Sequence, residues 1–391
     1  MQIIYGYSNC TDKKYNELFL NKKTAVLQPD QKYHGLLIKG LSAVGAKVRC
    51  LSGLPINRNV VSKLWINEPD EQERNATFHY YKTFNLPLLR QGMIFLGAFI
   101  NVLKLRKKET TYAICDCLNI ANAYGITLAC KLKKIPAITI VTDLPDMMKN
   151  GKVISNINNR LFGMMDGFVF LTEQMNERIN KRHKPYIVLE GHVDAALKLP
   201  SQNERYEITD GKKVIIYAGS IQRLYGIQNL VEGFVKANIP NAELRIFGSG
   251  DYRDELVGVA MEHENINYMG ICSNEEVVRQ EQRAMLLVNP RPIAPEYTKY
   301  SFPSKNMEYM ISGTPVLTTK LPGMPKEYYP HVYFIEDETP EGISKVLQEI
   351  CAKSLEERTQ KGIQARQFVL DKKTNVAQAK KIIDFIQKEL S

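Results

Sequence analysis

The chain has 391 residues, 44% hydrophobic and 24% charged, a globular composition that excludes intrinsic disorder and collagen-like repeats and a length that favours two domains. Seven cysteines scattered from Cys10 to Cys351 form no secreted disulfide framework and point to a reducing, cytoplasmic compartment. The net charge of +10 is one-sided: residues 1–200 hold 28 Lys and Arg against 16 Asp and Glu, and residues 201–391 hold 24 against 26, so the first half alone draws anionic partners.

In chain order, Met1 to Tyr7 lacks the charged and apolar regions of a signal peptide and predicts a strand over 2–6. Residues 31–44 carry Leu36, Leu37, Leu41 and Val44 at helical spacing, and Lys47 to Leu51 predicts the next strand. From Gln91 to Leu103 runs the longest uncharged apolar stretch, 13 residues, where a spanning helix needs about 20. Its end is basic, Lys104, Arg106, Lys107 and Lys108. It predicts a core helix with a cationic end, or alternatively, over 86–108, a peripheral contact with an anionic membrane at its inner face. Strands follow at Tyr112 to Cys115, Ala137 to Val141, Gly167 to Leu171 and Tyr186 to Leu189, with helical stretches between most of them. That alternation specifies a parallel sheet covered on both faces.

The polar segment 199–211 reads as a linker between a first domain, 1–198, and a second, 212–374. The second repeats the alternation, with strands at Val214 to Tyr217, Glu243 to Phe247, Ile266 to Met269, Met285 to Asn289, Pro315 to Thr318 and Val332 to Ile335, and helices at Ile227 to Ala237 and Lys305 to Ser312. Residues 375–391 form an amphipathic terminal helix with Val376, Ala379, Ile382, Ile383 and Ile386 on one face, expected to pack back on the first domain. The predicted fold class is α/β, two facing Rossmann-like doubly wound domains, in which ligands bind outside the carboxyl ends of the strands.

Chemistry concentrates between Pro290 and Pro325. Ser304 stands where a helix begins, a place of unpaired N–H groups and partial positive charge suited to phosphate, and Lys305 adds a full charge. Glu308, one turn on, shares the face of Ser304 and can accept hydrogen bonds from sugar or ribose hydroxyls. Gly313-Thr-Pro315 closes the helix. Gly248-Ser-Gly250 has Arg253 where a dinucleotide fingerprint needs glycine, so no nicotinamide cofactor is expected. Cys115 and Cys117 read as buried thiols, His192 as a loop residue, and Glu336-Asp337-Glu338 as a solvated surface.

The segment Phe302-Pro-Ser-Lys-Asn-Met-Glu308-Tyr-Met-Ile-Ser-Gly313-Thr-Pro-Val resembles the donor-binding signature of retaining GT-B nucleotide-sugar glycosyltransferases, family 4-like, of the bacterial capsule and exopolysaccharide type. Tyr217-Ala-Gly219-Ser220-Ile-Gln-Arg223-Leu-Tyr225-Gly226 resembles the glycine and basic turn on the diphosphate. Gly248 and Gly250 resemble the next loop, and Asn267 to Gly270 the segment whose following backbone, at Ile271, cradles the base. The match is good over 214–330 and loose in the first half. The resemblance implies that Glu308 binds the ribose, Arg223 and Lys305 neutralise the leaving diphosphate, the backbone at Ser304 binds its oxygens, and no metal is required. Two positions depart from the pattern: Tyr300 replaces the first glutamate of the family's pair, and Tyr225 the lysine of the basic turn.

In the first half, Asp116 and Asp143 each follow a strand, and either could take the acceptor hydroxyl's proton, unless it leaves toward the departing phosphate. The implied partners are a nucleotide-sugar donor, UDP preferred, and a saccharide acceptor, anionic and polyprenyl-diphosphate-linked. The rivals are a nucleotide-sugar 2-epimerase and a non-catalytic nucleotide-sugar-binding scaffold. Nucleic-acid binding is not expected, since no recognised module or regular aromatic interleaving accompanies the basic half.

Overall fold

A computed structural model describes residues 1–19, 28–106, 109–144, 147, 151–196 and 211–390. The proposed linker lies outside them except for Gly211, as do Lys107 and Lys108. The chain divides into two compact units, residues 1–194 with 374–391, and residues 195–373.

The first unit contains strands β1 (Gln2–Gly6), β2 (Lys47–Ser52), β3 (Trp65–Ile66), β4 (Glu71–Glu73), β5 (Ala76–Tyr80), β6 (Thr83–Phe84), β7 (Thr111–Asp116), β8 (Ala137–Val141), β9 (Gly167–Phe170) and β10 (Tyr186–Val188). Its sheet runs β10-β9-β8-β7-β1-β2-β5-β4, parallel throughout except at the β4 edge, and β3 and β6 form a separate antiparallel ribbon. Strands β3 to β6 are absent from the sequence expectation; β3, β4 and β6, of two or three residues, leave no readable period. Helices α1 (Asp12–Phe19), α2 (Gln28–Ala43), α3 (Pro87–Lys104), α4 (Ile120–Lys133), α5 (Gly151–Met164) and α6 (Glu173–Ile179) connect them. Strands β1, β7 and β8 are apolar and almost wholly buried, as a strand covered on both faces requires.

Helix α3 begins at Pro87, a residue that has no N–H to leave unpaired in a first turn. Arg90 fastens its start by donating to the carbonyls of Leu54 and Ile56, and burial lowers the guanidinium's affinity for its proton. Ile94, Ala98 and Val102 are buried while Leu88, Leu89, Leu96, Ile100 and Leu103 are exposed, so the helix is apolar on both its inner and its outer face.

The second unit contains β11 (Lys213–Ala218), β12 (Ala242–Phe247), β13 (Ile266–Gly270), β14 (Leu286–Asn289), β15 (Val316–Thr319) and β16 (Tyr333–Ile335), all parallel in the order β13-β12-β11-β14-β15-β16. Its helices are α7 (Ile227–Ala237), α8 (Arg253–Glu262), α9 (Asn274–Glu281), α10 (Ser304–Ser312), α11 (Pro340–Ala352) and α12 (Leu355–Lys372). The order reverses beside β11, which places the loops after β11 and β14 at the topological switch point.

The last helix, α13 (Asn375–Glu389), belongs to the first unit. Ala379, Ile382, Phe385 and Ile386 join the core of Leu37, Ile38 and Leu41 from α2. Asn375 donates to the carbonyl of Leu36 and Gln378 to that of Gly191, and Val193 bridges Thr374. A methyl at Gly40 would stand 2.2 Å from the carbonyl oxygen of Asn375, so the bare backbone permits the close approach.

Candidate functional site

In the second unit the site is assembled where β11 and β14 end. Contacts of three residues seat α10 over those ends. Tyr309, fully buried, accepts from the Ala218 N–H at 2.8 Å and donates to the Ala218 carbonyl at 3.1 Å. Asn306 accepts from Asn289 at 2.7 Å. Lys305 lies along Gly219: a methyl there would be 2.5 Å from Cε and 3.2 Å from Nζ. A side chain at Gly219 would push this ammonium off the strand end.

Gly248 and Gly250 close the same edge. Gly248 has φ +126°, and a methyl on it would overlap the carbonyl oxygen of Gly219 at 1.8 Å, while one on Gly250 would meet that of Ile221 at 2.1 Å. The loops after β11 and β12 are therefore in backbone contact, with Ile221 N–H donating to the Ser249 carbonyl at 2.9 Å. Ser220 is exposed, its carbonyl accepting from the Tyr217 hydroxyl at 2.7 Å.

Pro303 precedes α10 and supplies no side-chain cap, so no side chain accepts from the first N–H groups at Ser304 and Lys305. The helix is nine residues long, with its positive end beside Gly219. Ser304 is exposed and Glu308 half-buried on the next turn; Gly313, φ +77°, ends the helix in the left-handed conformation expected of Gly313-Thr-Pro315. Phe302 is buried with its ring 4.9 Å from that of Tyr328, a packing role. Ile271 is 81% exposed just past β13.

Arg223 differs from its expected role. It opens a short 3-10 turn, and its guanidinium pairs with Glu255, bonds Gln228 at 2.7 Å and lies over the Tyr252 ring. Its partners lie on the same surface, where both members of the ion pair are half exposed. Lys305, by contrast, has no carboxylate partner among the described residues. A recess of about 220 Å3 lined by Lys213, Met285 and Pro315 lies at the opposite, amino ends of the strands, away from this chemistry.

The first unit gathers carboxylates at the ends of β7 and β8. Asp116 is 1% exposed; one oxygen accepts from the N–H groups of Leu118 and Asn119 at 2.7 and 3.3 Å, and the other faces His34 Nε2 at 3.2 Å. His34 Nδ1 meets the Tyr5 hydroxyl at 2.7 Å, and its ring stacks on Tyr7 at 3.7 Å. Asp143 reaches solvent at the rim, but desolvation by the surrounding chain, then Asp30 and Asp116, push it up to about 6. One oxygen of Asp116 orders the loop while the other, facing His34, accepts no hydrogen bond; Asp143, raised to about 6, is able to take a proton near neutral pH.

His34 and Asp30 lie outside the sequence expectation, since a lone His within a helix carries no local signal. His192 lies in a loop as expected, half-buried, and donates to the Tyr33 carbonyl at 2.8 Å; desolvation pushes it down to about 4. Cys115 and Cys117 are buried free thiols. Among the described residues no group of three or more His, Cys, Asp and Glu is arranged to hold a metal ion.

The family model described as glycosyl transferases group 1 matches residues 200–368, the span that carries α10 and its strand ends. Residues 200–368 thus form a glycosyl transferase group 1 domain. No curated protein sequence matches the chain. Among solved structures, the chain is similar to Anabaena HepE in complex with UDP, at 11% identity and a TM-score of 0.67 over 99% of this chain and 100% of that one. Sucrose-phosphate synthase of Thermosynechococcus elongatus gives 14% and 0.64 over 99% and 98%. The lipopolysaccharide outer core galactosyltransferase WaaB gives 14% and 0.62 over 100% of both. At such identities the likeness establishes the fold, which is GT-B.

Proposed function

We propose that the glycosyltransferase moves a sugar, with retention of configuration and without a metal ion, from a UDP-sugar to an anionic, polyprenyl-diphosphate-linked saccharide in capsule or exopolysaccharide synthesis. The observation that carries the donor half is the uncapped amino end of α10 with the Lys305 ammonium laid on Gly219. The UDP complex of the similar HepE structure supports the choice of nucleotide. As the anomeric C–O bond breaks, its electron pair stays on the diphosphate. Preorganised N–H groups and Lys305 stabilise that charge without reorganising. Glu308 accepts from the ribose hydroxyls. The acceptor hydroxyl oxygen forms the new bond, and its proton goes to Asp143 or to the departing phosphate on the same face.

The acceptor half rests on the first unit's excess of cations and on α3. Exposed Leu88, Leu89, Leu96, Ile100 and Leu103 share the unit's surface with Trp65 and Phe84, whose rings stand 4.8 Å apart, and Lys63, Lys82, Lys104 and Arg106 are exposed on the same segments. Apolar side chains fringed by lysine and arginine suit peripheral attachment to the inner membrane face, where a polyprenyl-linked acceptor would be found. No helix among the described residues is long and apolar enough to cross a membrane.

Thermal shift against UDP, GDP and ADP without metal tests the donor site. A ligand at a hundred times its dissociation constant adds about 2.7 kcal/mol, and Glu308→Ala should abolish the response. If no nucleotide stabilises the wild type, the donor assignment is wrong. Product analysis then separates transfer from epimerisation, since an epimerase releases an isomerised nucleotide sugar with no acceptor present.

A further inference from the structure

The departure at Tyr225 removes a cation from the turn that faces the diphosphate, and Arg223 does not replace it, being paired with Glu255 and Gln228. A different arginine stands at the same place. Arg291 follows β14, the hydrogen-bonded neighbour of β11, and its guanidinium lies 4.5 Å from the centre of the Tyr225 ring and 5.9 Å from that of Tyr297. The backbone on either side is locked to the turn. Gly226, φ +76°, admits the Pro290 carbonyl oxygen at 2.2 Å from where a methyl would stand, and the Pro292 ring at 3.3 Å. Tyr217 connects this pair to the ammonium. Its hydroxyl lies 2.9 Å from the methyl position of Gly219, beside Lys305; burial raises its proton affinity, and the nearby charge of Arg291 works against that rise.

Among the described residues no carboxylate pairs with Arg291, and its buried Nε has no hydrogen-bond partner. A guanidinium stacked on an aromatic face keeps its N–H edges available for an oxyanion. An unpaired fork of donors at a strand end, near a second unpaired cation, is the arrangement that binds a diphosphate.

We propose that Arg291, held over the Tyr225 ring, is with Lys305 the cation pair that binds the donor's diphosphate and stabilises it as it leaves. The inference rests on the donor-site reading above. Arg291 forms no covalent bond in the reaction; it balances the charge that the breaking glycosidic bond leaves on the phosphate oxygens. Tyr225 is a positioning residue, holding the fork by its ring face.

The test is calorimetric titration of the full chain, wild type, Arg291→Met, Arg291→Lys and Tyr225→Ala, with UDP and with uridine, which has base and ribose but no phosphate. Arg291→Met should weaken UDP about 10- to 100-fold and uridine less than about threefold. Arg291→Lys should recover part of the loss, and Tyr225→Ala should weaken UDP less than Arg291→Met. Unliganded melting curves identify any variant that fails to fold, and Arg291→Lys then carries the comparison. Equal losses for UDP and uridine would mean that Arg291 only shapes the loop, and unchanged UDP affinity would remove it from the site; either overturns the proposal. A wild type that binds no nucleoside diphosphate brings down the donor-site reading itself, a result distinguishable from the other two.

Discussion

In the proposed reaction Lys305 carries charge stabilisation and Asp143 is a candidate base, and the two differ in how they can be tested. Lys305→Met removes a charge from a site where the bond-breaking step creates one, so kcat should fall about 100- to 1,000-fold, as when an oxyanion donor is deleted, while thermal stability changes little. Asp143, held near 6, is a base only when ionised. If it takes the acceptor proton, kcat/KM should rise with pH through about 6, and Asp143→Asn should abolish that limb. Its raised value also means that the folded state favours the neutral acid. The stabilising contribution is present at low pH and lost as pH climbs through 6, so Asp143→Asn should melt no lower than wild type at pH 8. Asp116→Ala should behave oppositely, since it strands His34 and two N–H groups in the interior. A cost of about 3 kcal/mol in urea denaturation is expected, as for a broken buried pair.

At the scale of elements, α10 and α3 show what an isolated segment reveals. The signature Phe302 to Val316 was readable because it combines a helix start, a cation and a carboxylate one turn apart, and a Gly-Thr-Pro stop. Its partners were not. Nothing local says that Tyr309 would clamp Ala218, 91 residues away, or that Lys305 would come to rest on Gly219. Arg291 was visible within Pro-Arg-Pro, but its role depends on β14 lying beside β11, which is a matter of strand order. For α3, the apolar period was legible while the companion ribbon of β3 and β6 was too short to read. If the exposed face docks on anionic membrane, vesicles containing phosphatidylglycerol should sediment the protein at low salt and release part of it at 0.5 M, because screening shortens the reach of the lysines. Leu88→Asp with Leu96→Asp should lose sedimentation at both salts, whereas unchanged sedimentation would dismiss this face.

For the whole molecule, the informative feature is that the chain leaves the first unit at residue 194 and returns to it at 374. The first unit is therefore incomplete until the last residues are made. Deleting 374–391 uncovers Leu37, Ile38 and Leu41, and each apolar side chain returned to water forfeits about 1.5–3 kcal/mol. Denaturation of the truncated chain should show the first unit unfolding at lower urea while the nucleotide-stabilised transition of the second is retained.

The sequence by itself determined the two alternations, nearly every central strand, the helix with its positive end at Ser304 and the basic character of the first half. These depend on period, composition and turn residues within a few positions of one another. Tertiary structure alone decided which cations remain unpaired, because that depends on who stands opposite. Arg223 met Glu255 across the surface, whereas Lys305 and Arg291 met glycine and aromatic rings. It likewise gave two aspartates alike in sequence different surroundings: Asp116 opposite His34 and two N–H groups, Asp143 at a rim where desolvation and two other carboxylates raise its proton affinity.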